Sequence, residues 1–376
     1  MITFDFGQLG YTYSLPTDHK TLNTANLQAP AIADPSAHFQ STLYSGNGST
    51  RTISQTGNST FPPGLIWVKD RTGTSIHHLE DNVRGWGKFL SSDGTNSETT
   101  TNVHGQITAV ADGSFDLTIG SSTFNYFNYN TYDYVAWQWK GDGTGGTTNS
   151  DGDINSTIEV NDTAGFSFGT VVLTGSTAEQ YGHGQSGEPE LVLFKPTSSA
   201  GAWNVYVDGI TSTGERLVLN TTAAKASVAN LWQTPTSSLL GVGTAFGADT
   251  YALYAWRSIP GYSKIGSYTG NGSADGPFVH CGFRPGWVMA KRTDSTMGWI
   301  MFDAARDTYN VVENILYADS TAAEATSGDQ KLDFTATGFK VRGSGAWLNA
   351  SGGNFIFMAF AECPLGGDGV AQGLAR

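Results

Sequence analysis

A chain of 376 residues carrying 20 Lys and Arg against 33 Asp and Glu has a formal charge of −13, which repels nucleic-acid backbones and anionic membrane surfaces and sets both aside as partners. Only 14% of residues are charged while 48 are Gly, so Gly, Ser, Thr and Asn must supply the polar surface, the composition of many short strands joined by tight turns. No run reaches the roughly 18 apolar residues of a membrane span, the Met-Ile-Thr-Phe-Asp start lacks the basic and apolar parts of an export signal, and the two cysteines, Cys281 and Cys363, are expected as free thiols.

In chain order, Thr3-Phe4-Asp5-Phe6 alternates as a strand does, but Gly7, Pro16, Pro30 and Pro35 forbid a long regular element. Residues 1–42 are therefore expected to form an extended arm that docks on another protein or subunit, with Phe4, Phe6, Tyr11 and Tyr13 as its contact residues. Its removal through residue 40 is expected to leave the rest of the fold intact.

From residue 43 the sequence repeats itself. YSGNGST at 44–50 returns as LTGSTAE at 173–179 and YTGNGSA at 268–274, where Asn-Gly signals a type I′ hairpin turn. PGLIWVK at 63–69, PELVLFK at 189–195 and PGWVMAK at 285–291 read as buried strands led by Pro63, Pro189 and Pro285, with Lys69, Lys195 and Lys291 keeping their charge in water at the far end. A third block places Asp81, Asp208 and Asp303 in register. A closing aromatic strand aligns Tyr132, Tyr251 and Phe355, then Ala136, Ala255 and Ala359, then Trp137, Trp256 and Phe360.

The expected architecture is all-β, with three tandem divergent sandwich-like repeats of about a hundred residues at 43–142, 166–262 and 263–364. A Gly/Ser/Thr-rich linker fills 143–165, a tail follows at 365–376, and short helical turns are expected near Thr222–Asn230 and Asp307–Tyr317. Trp67, Trp137, Trp256, Trp287, Val192, Phe357 and Ala359 form the expected core.

The catalytic motifs of hydrolases, metalloproteases and phosphate loops are missing, and no cofactor or metal is expected. Asp81 with Arg84 and Asp303 with Arg306 stand three apart, as structural salt bridges do. His77 and His78, adjacent on a strand, point to opposite faces and cannot share one ion. Asp151, Asp153, Asn155 and Asp162 space like a calcium loop but lack its Gly and Glu. Eight aromatics lie between Phe124 and Trp139, with Tyr126, Phe127 and Tyr129 among asparagines. Such rings either stack on a sugar from an exposed turn or pack between strands.

The GNGS turn, the P-x-x-hydrophobic-x-x-K strand, the VRG and ARD steps at Val83–Gly85 and Ala305–Asp307, and the TYxxxAW strand resemble uncharacterised repeat proteins of tailed bacteriophages, especially phages of cyanobacteria, over most of 43–364. FDFGQLGYTYSLPTDHKTLNTANL at 4–27 looks like the closing strand of a SPRY-type sandwich. The resemblance implies a virion structural or tail-fibre-like component. A structural or binding protein made in the host cytoplasm is therefore expected rather than an enzyme: a tail-fibre or receptor-binding component first, a capsid decoration protein as the alternative and a host-polysaccharide depolymerase last, with other virion proteins, its own copies (a trimer) and host glycan as partners, and with neither nucleic acid binding nor membrane insertion.

Overall fold

A computed structural model describes residues 26–27, 29–100, 103–124 and 126–366. The arm residues Phe4, Phe6, Tyr11 and Tyr13 lie outside them. Among the described residues nearly everything regular is strand; the one α-helix is the single turn α1 (Ala346–Asn349).

The first unit runs through β1 (Phe39–Ser45), β2 (Arg51–Ser54), β3 (Pro63–Asp70), β4 (His78–Asp81), β5 (Gln106–Ala111), β6 (Ser114–Thr118) and β7 (Asp133–Lys140). The second comprises β8 (Thr147–Asn149), β9 (Ser156–Asn161), β10 (Phe166–Leu173), β11 (Glu179–Gly182), β12 (Leu191–Pro196), β13 (Asn204–Val207), β14 (Glu215–Val218), β15 (Ala226–Ser227), β16 (Trp232–Gln233), β17 (Leu239–Val242) and β18 (Asp249–Trp256). The third comprises β19 (Ser263–Thr269), β20 (Phe278–His280), β21 (Phe283–Arg292), β22 (Trp299–Asp303), β23 (Asn314–Tyr317), β24 (Ala325–Thr326), β25 (Leu332–Thr335), β26 (Gly338–Val341) and β27 (Asn354–Pro364).

One strand plan serves all three stretches. In the large sheets the orders β1-β7-β3-β4, β10-β18-β12-β13 and β19-β27-β21-β22 correspond, and each unit adds a three-stranded sheet, β2-β6-β5, β11-β17-β16 or β20-β26-β25. Leu65 lies opposite Trp139, Leu191 opposite Trp256 and Trp287 opposite Phe360, which brings Lys69, Lys195 and Lys291, each four residues on, to one ladder position.

The proline-led strands carry continuous apolar runs because both faces are covered. All eight residues of β3 are buried. Ile66 and Val68 face the small sheet of their own unit, with Ile53, Phe115 and Tyr134. Leu65 and Trp67 face the other way, into a cluster to which all three units contribute, including Phe39, Trp139, Phe166, Trp256, Trp287 and Phe360. The architecture is thus three sandwiches whose large sheets back onto one shared core. All seven expected core residues are buried, from Trp137 and Trp287 at 0% exposure to Trp256 and Phe357 at 3%.

Several expectations are corrected. Asn-Gly at 47–48 and 271–272 does not close a hairpin, since β1 pairs with β7 and β2 with β6. The turn carries the chain from one sheet to the other, and only the glycines take positive φ, at 66° for Gly48, 68° for Gly175 and 69° for Gly272. The closing strand of the first unit aligns two residues further on, so that Tyr134, Tyr251 and Phe355 correspond, and likewise Trp139, Trp256 and Phe360. A slip of two leaves every side chain on the same face, so apolar pattern alone cannot detect it. Val207, not the exposed Asp208, occupies the ladder position of Asp81 and Asp303.

The segment 143–165 is more than a linker, because Ser-Thr-Ile-Glu-Val-Asn at 156–161, with β-branched Thr157, Ile158 and Val160, forms β9 along β10, with β8 beyond it. Neither expected helical turn forms; β15 and β23 occupy those stretches. The arm also ends earlier than residue 42, since Ile32 and Phe39 are buried in the shared core and Phe39 stacks on Phe360 at 4.8 Å. Deleting residues 1–40 should therefore lower the melting temperature sharply, whereas deleting 1–25 should not, a contrast that thermal melts of the two truncations check.

Candidate binding surface

The units are joined by polar contacts that repeat around a ring. Lys69 Nζ donates to the Thr321 carbonyl in the third unit (3.2 Å), Lys291 Nζ to Thr222 in the second (3.1 Å) and Lys195 Nζ to Thr95 in the first (3.3 Å). Backbone bonds follow the same circuit, from Glu98 N–H to the Thr197 carbonyl, Lys225 to Thr293 and Glu324 to Arg71. Trp203 Nε1 donates to Ser91 O and Trp299 Nε1 to Val218 O. At the third such position, His77 Nδ1 accepts from Trp67 Nε1, which leaves the proton on Nε2 to donate to Tyr317 O at 2.9 Å.

The lysines are therefore not in water. All three are fully buried, and burial pulls each ammonium down from 10.5 to about 8. An unfolded lysine keeps its proton up to its ordinary value, so between about pH 8 and 10.5 the unfolded chain binds more protons and stability rises with pH. Buried tyrosines such as Tyr44, Tyr254 and Tyr262, all shifted upward by burial, reverse this above pH 10, where only the unfolded chain ionises. The melting temperature should accordingly climb from pH 7.5 to 9.5 and fall beyond, and the climb should shrink by about a third in Lys195→Met.

Asp81 and Arg84, and Asp303 and Arg306, form salt bridges with Nε to Oδ2 distances of 2.6 Å, buried beneath the turn that ends β4 or β22. Each arginine continues to a second carboxylate, Arg84 to Glu98 at 2.8 Å and Arg306 to Glu324 at 3.0 Å, and to a main-chain carbonyl, of Leu79 and Met301. A neighbouring unit caps each aspartate, with Tyr254 Oη on Asp81 (2.7 Å) and Trp137 Nε1 on Asp303 (3.1 Å). In the second unit the same positions hold Val207 and Ile210, and the capping position is Met358. Polar partners are kept or lost as a set: aspartate, arginine and the capping hydroxyl or indole occur together in the first and third units and are replaced together in the second.

His77 and His78 do point to opposite faces. His78 is buried between the rings of Phe89, Phe127 (both 4.2 Å) and Tyr126 (5.2 Å), neither of its nitrogens has a hydrogen-bond partner, and burial holds it down at about 3. No cluster of metal-ligating side chains occurs among the described residues, and no helix there is long and apolar enough to cross a membrane. Asp153 and Asp162 accept from the backbone of Gln180 and Ser186, which accounts for the acidic string. Cys281 is a buried free thiol, and Cys363 Sγ accepts from Arg284 Nη2 at 3.3 Å.

The aromatic stretch before β7 divides in two. Phe127 is fully buried, so it leaves the expected contact set; its neighbourhood is too apolar for the chain to give the ring up to solvent. Tyr126 and Tyr129 are half-buried and join Phe124 and Tyr132, likewise half-buried, in one surface cluster. Phe124 lies 4.8 Å from Tyr129, 5.7 Å from Tyr126 and 5.9 Å from Tyr132, and Tyr126 packs on His104 at 4.1 Å. Exposed Asn130 and Asp133 flank the rings.

The cluster is held rigidly from below. Tyr44 Oη donates to the Phe127 carbonyl (2.7 Å), and Tyr134 Oη accepts from Tyr129 N–H (2.8 Å). Buried Asn128 clasps the 46–49 turn, accepting from Asn47 N–H (3.0 Å) and donating to Asn47 Oδ1 (2.8 Å). Asn349 makes the matching clasp on Asn271 in the third unit. The Asn-Gly signal was visible in the sequence; its partners, some 80 residues away, were not.

No curated protein matches the chain. The profile of a family described as a domain of unknown function (DUF7483) matches residues 34–364, from the aspartate that caps the 3-10 turn at Pro35–Ala37 to the last residue of β27. The match spans all three units and the shared core, and the chain belongs to that family.

Proposed function

We propose that this chain is a bacteriophage virion structural protein, made in the host cytoplasm and displayed on the particle as a tail-fibre or receptor-binding component that acts by contact and not by catalysis. The observation that carries the reading is the cluster of Phe124, Tyr126, Tyr129 and Tyr132, flat rings flanked by an amide and a carboxylate on a rigid base, the chemistry that stacks on and hydrogen-bonds a sugar. Its partners are a host surface glycan, other virion proteins and further copies of itself, with a trimer as the assembly. The sequence resemblance to phage repeat proteins supports the same reading. A capsid decoration role is the second reading, favoured by three units of like strand order joined in a ring of contacts, an arrangement that suits a threefold site. Depolymerase activity needs two free carboxylates across a cleft, and Asp81 and Asp303 are instead locked under arginines.

Replacing Tyr126 and Tyr129 together by Ala should lower adsorption of particles to host cells by about tenfold while the protein stays folded at the assay temperature and is incorporated normally. Normal adsorption with the variant protein incorporated, or absence of the wild-type protein from purified particles, would refute the proposal.

A further inference from the structure

We infer that the groove between the second and third units is a binding site for a short neutral saccharide, separate from the aromatic cluster of the first unit. The groove holds about 500 Å³, inside the roughly 300 to 1,000 Å³ of small-ligand sites. Gly209, Ile210 and Lys225 of the second unit form one wall, and Ser267, Thr269 and Asn354 of the third form the other.

The other junctions show why it is open. Between the first and second units the chain fills the corresponding space itself: β9 covers the edge of β10, with Thr157 opposite Thr170, and Gly146 is wedged between Val83 and Thr157, which a side chain there would meet at 2.9 and 3.1 Å. Gly209 stands at the turn position of Val83, and a side chain on it would meet nothing within 4 Å. Ile210 and Lys225 stand where Arg84 and Glu98 pair in the first unit. Ser267 is the counterpart of Thr170, but β19 ends its sheet, and among the described residues no strand covers its outer edge. The edge of β1 is uncovered as well. There Leu43 takes the place of Ser267, and the Ser45 carbonyl, counterpart of that of Thr269, accepts from Arg51 Nη1 at 2.8 Å.

The open edge of β19 is short and polar. Gly270 N–H donates to the Gly353 carbonyl and Ile265 N–H to Ser258 Oγ at 3.0 Å, so antiparallel alternation turns the main-chain groups of Ser267 and Thr269 to the groove. Two residues span about 7 Å, too little for a docked strand of about five or six residues but matched to a sugar ring. Their N–H and C=O groups, their hydroxyls and the exposed Asn354 amide offer donors and acceptors side by side, while Ile210 and Tyr268 supply apolar wall for the C–H face of a ring. The ions at the groove are already paired, Lys225 Nζ with Glu215 at 3.1 Å and Arg292 Nε with Asp294 at 2.7 Å, so it presents no lone charge to an acidic or basic ligand.

Saturation-transfer NMR tests this with maltose, cellobiose, lactose, mannobiose and chitobiose as neutral probes and digalacturonate as the acidic one. The full chain carries Tyr126→Ala/Tyr129→Ala, which removes the first unit's cluster from the readout. At least one neutral probe should bind that chain, and adding Ser267→Leu, the residue the first unit has there, or Asn354→Ala should weaken it by about tenfold with the fold retained by circular dichroism. No neutral probe bound, binding unchanged by both substitutions, or digalacturonate bound more tightly than any neutral probe would overturn the inference. So would hydrogen-exchange protection of 264–270 by a peptide of residues 156–161 and by none of the sugars, which would assign the groove to strand addition.

Discussion

Trp139→Ala should destabilise the whole chain by about 3 to 5 kcal/mol, the range of a large aromatic removed from a packed interior, and should do so without uncoupling one unit from the others. Trp139 is 1% exposed and stands where the three large sheets converge, its ring 4.9 Å from Phe39, 6.1 Å from both Trp256 and Trp287 and 5.8 Å from Phe360. These partners come from all three units, so the cavity cannot be closed by one sheet relaxing. Trp256→Ala, stacked on Phe166 at 4.9 Å, should behave alike. Denaturant melts followed by Trp fluorescence and by far-UV dichroism should shift together; a loss under about 1 kcal/mol would place the ring outside the shared core.

Arg306→Ala should cost a comparable 3 to 5 kcal/mol, roughly the penalty for breaking a buried pair, because it strands the buried Asp303 carboxylate and frees the carbonyls of Met301 and Asn314. Arg306 also bridges to Glu324, which pairs with Arg71 of the first unit at 2.7 Å, and its guanidinium lies 6.0 Å from the Trp137 ring. The loss therefore reaches the junction between units. The second unit shows how the position is built without charge: Val207 replaces the aspartate and Ile210 the arginine. Asp303→Val combined with Arg306→Ile should accordingly be less damaging than Arg306→Ile alone, which a double-mutant cycle by urea melts reads directly. Additive losses would show that the pair is not the coupled unit described.

The sequence showed the all-β class, the order of recurring blocks and the core tryptophans, because strand period, Gly-rich turns and apolar runs are local signals. Long-range pairing was harder to read. The two-residue slip at Trp139 arises where side-chain periodicity is satisfied by more than one register, whereas Asp208 stands one position beyond the ladder site that Val207 fills, an offset that residue identity masked and side-chain alternation would have exposed. The three lysines were visible as a recurrence in a chain with only 20 basic residues, but a lysine after an apolar strand ordinarily reaches solvent. Here a neighbouring unit's loop closes over each one, and nothing local announces that loop. Within the aromatic stretch, composition could not separate Phe127, packed on His78, from Tyr126 and Tyr129 at the surface.

Differential scanning calorimetry of the full chain tests most directly whether three sandwiches share one core. A closed ring of contacts around Trp139 predicts one transition whose calorimetric and van't Hoff enthalpies agree. Two or three resolved transitions, or a van't Hoff enthalpy near a third of the calorimetric value, would mean that the units melt independently and that the shared core does not bind them.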